Sequence, residues 1–268
     1  MAQEDESSGV KGAGLDFTGE RAIPGMISTS LYKTHASRYE FAAGQCSDAV
    51  ALDVACGSGY GSHILNTTGR ARLVIGVDIS HEALLFAKSQ YPNLFIVQAS
   101  ASALPFKSDF FDLIASFETI EHLDSTNQEK LLRQCQRVTR DGGMLVISTP
   151  NKRVYSFLAG NPFHLKEHNL REFKQFIQRG FEDVRLFGQD MRLYPVWILR
   201  RTLSVVLSVF GWGNSMKQRV RTVLQTETGE ERLHDSYGVH SLRYIPFVHE
   251  PRFIVVTARK PRKTRLDL

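Results

Sequence analysis

The sequence predicts a doubly wound, mostly parallel α/β sheet of seven strands, on three observations. Short β-rich apolar runs alternate with amphipathic helical stretches, a turn of small residues follows the first run, and the second run ends in a carboxylate. Each element follows from its own pattern.

Residues 1–16 are acidic and rich in Ser and Gly, with no apolar run, and read as a flexible tail rather than a leader peptide. In residues 17–47, Tyr32, His35 and Tyr39 recur at helical spacing and predict an amphipathic lid helix. The apolar, β-branched runs Ala49–Ala55, Arg72–Asp78, Leu94–Ala99, Phe111–Glu118 and Gly143–Thr149 predict strands, and the amphipathic stretches Ser80–Tyr91 and Gln128–Arg140 predict helices between them. A further helix around Asn169–Arg179 precedes a strand at Glu182–Gln189, and a last strand falls at Arg252–Arg259. The core is therefore expected over residues 48–189 and 251–260. Residues 190–250 are too long for an ordinary connection and are expected to form a helical cap inserted before the last strand. Residues 261–268 make a basic tail.

Composition removes several classes. The 268 residues carry 33 Lys+Arg and 28 Asp+Glu with 42% hydrophobic residues, which excludes coiled coil, collagen and wholesale disorder. Cys46, Cys56 and Cys135 are odd in number and scattered, so neither a disulfide framework nor a zinc knuckle is indicated, and a reducing, cytoplasmic setting fits. Residues 190–268 hold 14 Lys+Arg against 7 Asp+Glu, and residues 1–189 hold 19 against 21. The basic character thus sits in the C-terminal third, as a solvated surface or as an attraction for an anionic substrate, RNA or lipid head group.

The turn Leu52-Asp53-Val54-Ala55-Cys56-Gly57-Ser58-Gly59-Tyr60-Gly61 leaves the first strand and enters a helix. Small side chains there let the backbone approach a ligand, and the helix start offers unbonded N–H groups. Asp78 follows nineteen residues after Gly59, where a carboxylate can accept both hydroxyls of a ribose. Dinucleotides and S-adenosylmethionine both suit such a pair. Asp53 at the strand end would repel a pyrophosphate and favour the cationic amino-acid end of S-adenosylmethionine, which selects the methyl donor.

With these residues in view the sequence resembles the class I S-adenosylmethionine-dependent methyltransferases, a Rossmann-like fold. The match runs in order through Leu52–Gly61, Val77-Asp78-Ile79-Ser80, Ala103-Leu104-Pro105-Phe106, Phe111-Asp112-Leu113-Ile114, Arg137-Val138, Asp141-Gly142-Gly143 and Ser148-Thr149-Pro150-Asn151. The resemblance implies donor contacts from Asp53, Ala55, Gly57, Gly59, Asp78, Ile79 and Phe117, with Ala101 and Ser102 at the adenine. It departs from the pattern at Ala55, where the family usually has Gly, and at Ser100, where an acid often stands.

The acceptor end is expected after the fourth strand, in Phe117-Glu118-Thr119-Ile120-Glu121-His122-Leu123. On a helical turn, Glu118, Glu121 and His122 at i, i+3 and i+4 would share a face able to hold a divalent cation. A fourth ligand is expected from Asn161-Pro162-Phe163-His164-Leu165-Lys166-Glu167-His168, and His164 is the candidate. The motif is similar to that of the O-methyltransferases of ubiquinone biosynthesis and of those acting on the terminal 2′-hydroxyl of small RNAs. That similarity implies magnesium or a related ion beside the acceptor hydroxyl. Oxygen and imidazole ligands together do not choose the metal. Two other readings stay open: His122 or His164 as a metal-free base or substrate contact, and a purely structural role. His168 reads as a surface or helix-capping residue.

The flanking sequences Phe17-Thr18-Gly19-Glu20-Arg21, Tyr32-Lys33-Thr34-His35 and Arg38-Tyr39, with Asn161-Pro162-Phe163-His164, look like a bacterial subgroup associated with surface-polysaccharide and glycoconjugate assembly. The expected activity is O-methylation of a hydroxyl on a sugar, glycoconjugate or related small metabolite. The alternatives are an RNA 2′-O-methyltransferase and a non-catalytic donor-binding scaffold. RNA is disfavoured because the sequence shows no Arg-rich or aromatic-interleaved module. The apolar stretch Leu193–Met216, broken by Arg200-Arg201, could close over the acceptor, pack a homodimer or lie on a membrane surface.

Overall fold

A computed structural model of the chain describes residues 22–155, 161–193, 238–242 and 249–262. In chain order the elements are α1 (Thr29–Ala43), β1 (Val50–Val54), α2 (Tyr60–Thr67), β2 (Leu73–Asp78), α3 (His81–Gln90), β3 (Phe95–Gln98) and β4 (Phe111–Ser116). A 3-10 turn at Ile120–His122 follows, then α4 (Ser125–Val138), β5 (Thr139–Pro150), α5 (Lys152–Tyr155), α6 (Leu170–Ile177), β6 (Glu182–Leu193), β7 (His240–Ser241) and β8 (His249–Arg259).

The strands form one sheet in the order β3-β2-β1-β4-β5-β8-β6-β7. Strands β1 to β5 pair in parallel, and β8 runs antiparallel to both β5 and β6. The seven expected strands are all present, and the two-residue β7 adds an eighth at the β6 edge. The order reverses between β1 and β4, so the carboxyl ends of these two strands open the crevice in which doubly wound sheets take ligands.

Both faces of the sheet are covered, as the apolar runs require. Alternation splits the strands between two cores. Leu52, Val54, Ile114, Leu145, Ile147 and Val256 face α4 and α6 through Leu131 and Phe173. Ala51, Leu113, Ala115, Val146 and Val255 face α1 and α2 through Tyr39, Ala42 and Leu65. Each fully buried Leu, Ile or Val contributes about 1.5–3 kcal/mol, so the sheet centre is the rigid platform beneath the crevice.

Local signals set the helix starts. Ser28, Ser80 and Asp124 cap α1, α3 and α4 by accepting from backbone N–H groups in the first turn, and Asn169 with Glu172 closes a capping box on α6. Asp124 starts α4 three residues ahead of the expected Gln128, because the cap lies outside the apolar repeat. Strand β6 continues beyond the expected Gln189 to Leu193, so the first residues of the 190–250 segment are strand, as are 240–241 and 249–250. Residues 194–237 and 243–248 of that segment, including most of Leu193–Met216, lie outside the described residues, as do residues 1–21, 156–160 and 263–268. Among the described residues no helix is long and apolar enough to cross a membrane.

Candidate active site

The β1–α2 loop is built on backbone conformations that favour small residues. Ala55, Gly57 and Gly59 all have positive φ, at 61°, 54° and 82°. The two glycines differ in what they face. A Cβ on Gly59 would lie 2.7 Å from the Ala87 Cβ, so this glycine lets α2 pack against α3. A Cβ on Gly57 would meet nothing within 4 Å, so this glycine borders open space at the crevice. Ala55 tolerates the left-handed conformation at a cost of about 1–2 kcal/mol.

Asp78 closes this loop from β2. Its Oδ2 accepts from the Gly57 N–H at 2.9 Å and its Oδ1 from the Ser80 N–H at 2.9 Å. Each carboxylate oxygen keeps a second lone pair, which is what two ribose hydroxyls require. The neighbouring Ile79 side chain is exposed and Phe117 is buried. Ala101 and Ser102 lie half-buried on the far side of β2, where the Ser102 hydroxyl pairs with Ser100 at 2.9 Å.

Asp53 is wholly buried beneath the loop rather than lining it. Its carboxylate accepts from the Tyr39 hydroxyl at 3.1 Å and the Ser62 hydroxyl at 2.7 Å, tying α1 and α2 to the end of β1. Burial pushes its carboxyl up to about 7, opposed by the Ser62 and Tyr39 hydrogen bonds. The aromatic rings of Tyr32, Tyr39, Tyr60 and Phe117 meet edge-on above it, with centroids 4.7–5.6 Å apart. Helix α1 thus docks on the β1–α2 segment through Tyr32 and Tyr39.

The acceptor end departs from the expected helical face. Glu118 has φ of 50°, and only Ile120–His122 form a 3-10 turn, so Glu118 leaves β4 before any helix begins. Its carboxylate accepts from Ser148 at 2.7 Å and lies 3.9 Å from Arg38 Nη2. The structure instead gathers Glu121, His122 and His164, whose ligand atoms lie within 4.8 Å of one another. Of the four expected residues the structure brings together these three, and Glu118 is held aside by Ser148 of β5 and Arg38 of α1.

Each of the three is oriented. His122 Nδ1 lies 3.0 Å from the Phe163 carbonyl and His164 Nδ1 lies 2.6 Å from Glu167 Oε1, so both Nδ1 atoms face acceptors and donate. An imidazole whose Nδ1–H is held by a carbonyl or carboxylate is the usual arrangement of a metal ligand. Glu121 Oε2 accepts from Thr149 at 3.1 Å, while its Oε1 is buried with no hydrogen-bond partner. Burial, then the nearby Glu118 charge, raises the Glu121 carboxyl well above its ordinary range. A buried acceptor atom without a partner, beside two oriented imidazoles, fits a divalent cation, which would take the place of the proton.

A bracket beneath this cluster brings its two sequence segments together. Gln128 Nε2 donates to the Ile120 carbonyl at 2.8 Å and to the Lys166 carbonyl at 2.9 Å, and its Oε1 accepts from His168 Nε2 at 2.8 Å. His168 is therefore buried and load-sharing rather than a surface or capping residue. It pairs through its backbone with Asn151 and packs on Phe173 and Phe176.

Sequence reasoning missed Gln128, Arg38 and Gln189. Arg38 and Gln189 join α1 to β6 through a 2.6 Å hydrogen bond, and both are wholly buried. A polar residue in an amphipathic helix or a strand carries no local mark of such burial. Glu167 was in view only as part of the stretch from Asn161 to His168, and its contact with His164 gives it a role.

Comparison with known proteins agrees with this fold. Residues 52–147 match the family described as a methyltransferase domain. A probable S-adenosylmethionine-dependent methyltransferase of Mycobacterium tuberculosis is 36% identical over 179 residues, covering 65% of this chain and 64% of that protein. The malonyl-[acyl-carrier protein] O-methyltransferase of Methylococcus capsulatus is 28% identical over 205 residues, 70% of each chain. A crystal structure of an S-adenosylmethionine-dependent methyltransferase from Thermotoga maritima superposes with a TM-score of 0.58 at 16% identity, covering 86% of this chain and 92% of that one, and shares the fold. The chain spans slightly less than two thirds of the mycobacterial relative.

Proposed function

We propose that the chain, whose residues 52–147 match a methyltransferase domain, transfers a methyl group from S-adenosylmethionine to a hydroxyl of a sugar, glycoconjugate or related small metabolite. The observation that carries the hydroxyl acceptor is the Glu121, His122 and His164 cluster at the carboxyl end of β4, next to the donor loop. A neutral hydroxyl is a weak nucleophile, and a site that acidifies it is what O-methylation needs and what a more nucleophilic amine does not.

The donor end holds S-adenosylmethionine. Asp78 receives the ribose, the open face of Gly57 admits the amino-acid portion, and Ile79, Ala101 and Ser102 border the adenine. Ala55 and Gly59 keep the loop in its left-handed path, and Phe117 with Tyr39 and Tyr60 closes the methyl end. Asp53 acts from beneath, positioning α1 and α2.

At the acceptor end, Glu121, His122 and His164 would hold a divalent cation such as magnesium, which when bound lowers the pKa of the acceptor hydroxyl and fixes its oxygen. The residues themselves orient that oxygen toward the methyl carbon, and the rings' second nitrogens, held by Phe163 and Glu167, keep them aimed. The C–S bond of the sulfonium breaks as the O–C bond forms, giving the methyl ether and S-adenosylhomocysteine, and the hydroxyl proton leaves to water.

The test is transfer of labelled methyl from S-adenosylmethionine into cell material split into glycan, lipid and RNA fractions, with and without a chelator. Label in glycan or lipid-linked glycan that the chelator suppresses is expected. Label in RNA with a steep salt dependence would replace this acceptor by a 2′-hydroxyl. Chelator-insensitive labelling would make His122 or His164 the base. Donor binding without transfer to any fraction would make the chain a scaffold.

A further inference from the structure

The loop that supplies His164 also carries two large apolar side chains that the reading above does not use. Phe163 is 42% exposed and Leu165 is 65% exposed, while His164 between them turns inward to Glu167. This exposure is built into the loop. Asn161 closes the turn, its carbonyl accepting from the His164 N–H at 3.0 Å and its Oδ1 from the Phe163 N–H at 3.0 Å. His122 Nδ1 holds the Phe163 carbonyl, and the Leu165 and Lys166 N–H groups both donate to the Glu121 carbonyl, at 2.8 and 3.2 Å. With its backbone bonded inward, the loop keeps the side chains at 163 and 165 outward. Two such residues on a fixed loop make a contact element rather than scattered exposure.

Their surroundings are cationic. Residues 151–155 and 161–174 hold five Lys+Arg against two Asp+Glu. Lys152, Arg153, Lys166 and Arg171 are exposed. Both acids are engaged on protein groups, Glu167 with His164 and Glu172 in the capping box of α6. The Lys152 N–H donates to the His168 carbonyl at 2.9 Å, which brings this lysine beside the end of the loop, and Lys152 and Lys166 both bear on the His168 imidazole. Protein–protein interfaces are depleted in lysine. Apolar side chains flanked by exposed Lys and Arg are instead the composition of a surface that lies on anionic lipid, where the apolar groups reach the acyl boundary and the cations meet the headgroups.

We propose that the loop 161–166 is a docking surface for an anionic bilayer, Phe163 and Leu165 entering the headgroup boundary while Lys152, Arg153, Lys166 and Arg171 face the lipid phosphates. This goes beyond the methyl-transfer reading and does not rest on it. Where both hold, His164, one residue from each apolar anchor, sets the acceptor cluster at headgroup level, within reach of a hydroxyl on a lipid-linked glycan.

The test uses the full chain. Sedimentation with vesicles of phosphatidylcholine, alone and mixed with phosphatidylglycerol, is measured for the wild type, Leu165→Ser, the double variant Phe163→Ser/Leu165→Ser and the double variant Lys166→Gln/Arg171→Gln. The wild type should bind the mixed vesicles, at least about tenfold more weakly the neutral ones, and should be released as salt is raised. Leu165→Ser should weaken partitioning onto mixed vesicles about threefold and the double serine variant at least about tenfold. The double glutamine variant should weaken it at least about fivefold. Failure of the wild type to sediment with mixed vesicles, equal binding to both kinds, or undiminished binding of the variants would overturn the proposal, and each would leave methyl transfer to a soluble acceptor standing. Leu165→Cys decides the matter if the other variants fail to fold. Labelled with a polarity-sensitive fluorophore while Cys46, Cys56 and Cys135 stay buried, it should shift its emission to the blue on addition of mixed vesicles. Sedimentation without that shift would put the contact elsewhere in the chain, and a shift on raising protein concentration without vesicles would give the surface to a second copy. Both would overturn the proposal.

Discussion

The donor end and the acceptor end of the crevice are made of different materials. At the donor end the polar groups are already satisfied by the protein: Asp78 by the Gly57 and Ser80 N–H groups, Asp53 by Tyr39 and Ser62. At the acceptor end, Glu121 Oε1 is buried without a hydrogen-bond partner. The first is a preformed backbone cradle whose shape is paid for on folding. The second is a set of side chains with a demand left to be met when a ligand arrives. The difference teaches where to look for specificity, since an unmet buried donor or acceptor discriminates between ligands far more sharply than a cradle does.

This contrast can be broken at either end. The largest effect is expected from Asp78→Ala, which removes the ribose acceptor and the lock on Gly57 together. Two hydrogen bonds to a charged group, at about 1.5–3 kcal/mol each, predict a loss of S-adenosylhomocysteine affinity of at least about a hundredfold by calorimetry. Unchanged affinity would place the donor elsewhere. His122→Ala should lower turnover about 10²–10⁴-fold while donor affinity stays nearly intact, and a fall in both would mean the two ends are not separable.

A smaller effect tests how α1 is docked. A Cβ on Gly61 would lie 2.0 Å from the Tyr39 ring, so Gly61→Ala must push Tyr39 from Asp53. Overpacking of this kind costs about 1–3 kcal/mol, or several degrees in a thermal melt. An unshifted melt would show that α1 is not anchored through Tyr39.

The last prediction concerns the bracket under the acceptor end. Burial pushes the His168 imidazole down to about 4, against about 6.5 in the unfolded chain. The folded state therefore binds the proton less readily than the unfolded one. Its contribution to stability is complete above pH 6.5 and is lost as pH falls from there toward 4. His168→Gln should flatten that part of the stability curve in denaturant titrations, and an equally steep curve would remove His168 as its source.

Much of the core and the donor loop was legible from local pattern. The β-rich runs at 49–55, 72–78 and 111–118 became β1, β2 and β4, because parallel strands buried on both faces must be apolar throughout. Glycine spacing and the position of Asp78 likewise report backbone geometry, which short segments fix on their own. The acceptor end was legible only as a group of residue types. Glu118, Glu121 and His122 were read as one helical face, and the left-handed Glu118 broke it, since only the packing of β4 against β5 and α1 decides where the helix begins.

By itself the sequence determined the order of strands and helices, the donor turn and the segments that would face an acceptor, because these follow from periodicity and from residues that tolerate unusual φ. Tertiary structure alone decided which side chains of those segments meet. Gln128 and His168 draw His122 to His164 across some forty residues of chain, and Gln189 holds Arg38 from 151 residues away. Contacts between distant segments depend on how the layers close over the sheet, and a buried arginine or glutamine carries the same letter as an exposed one.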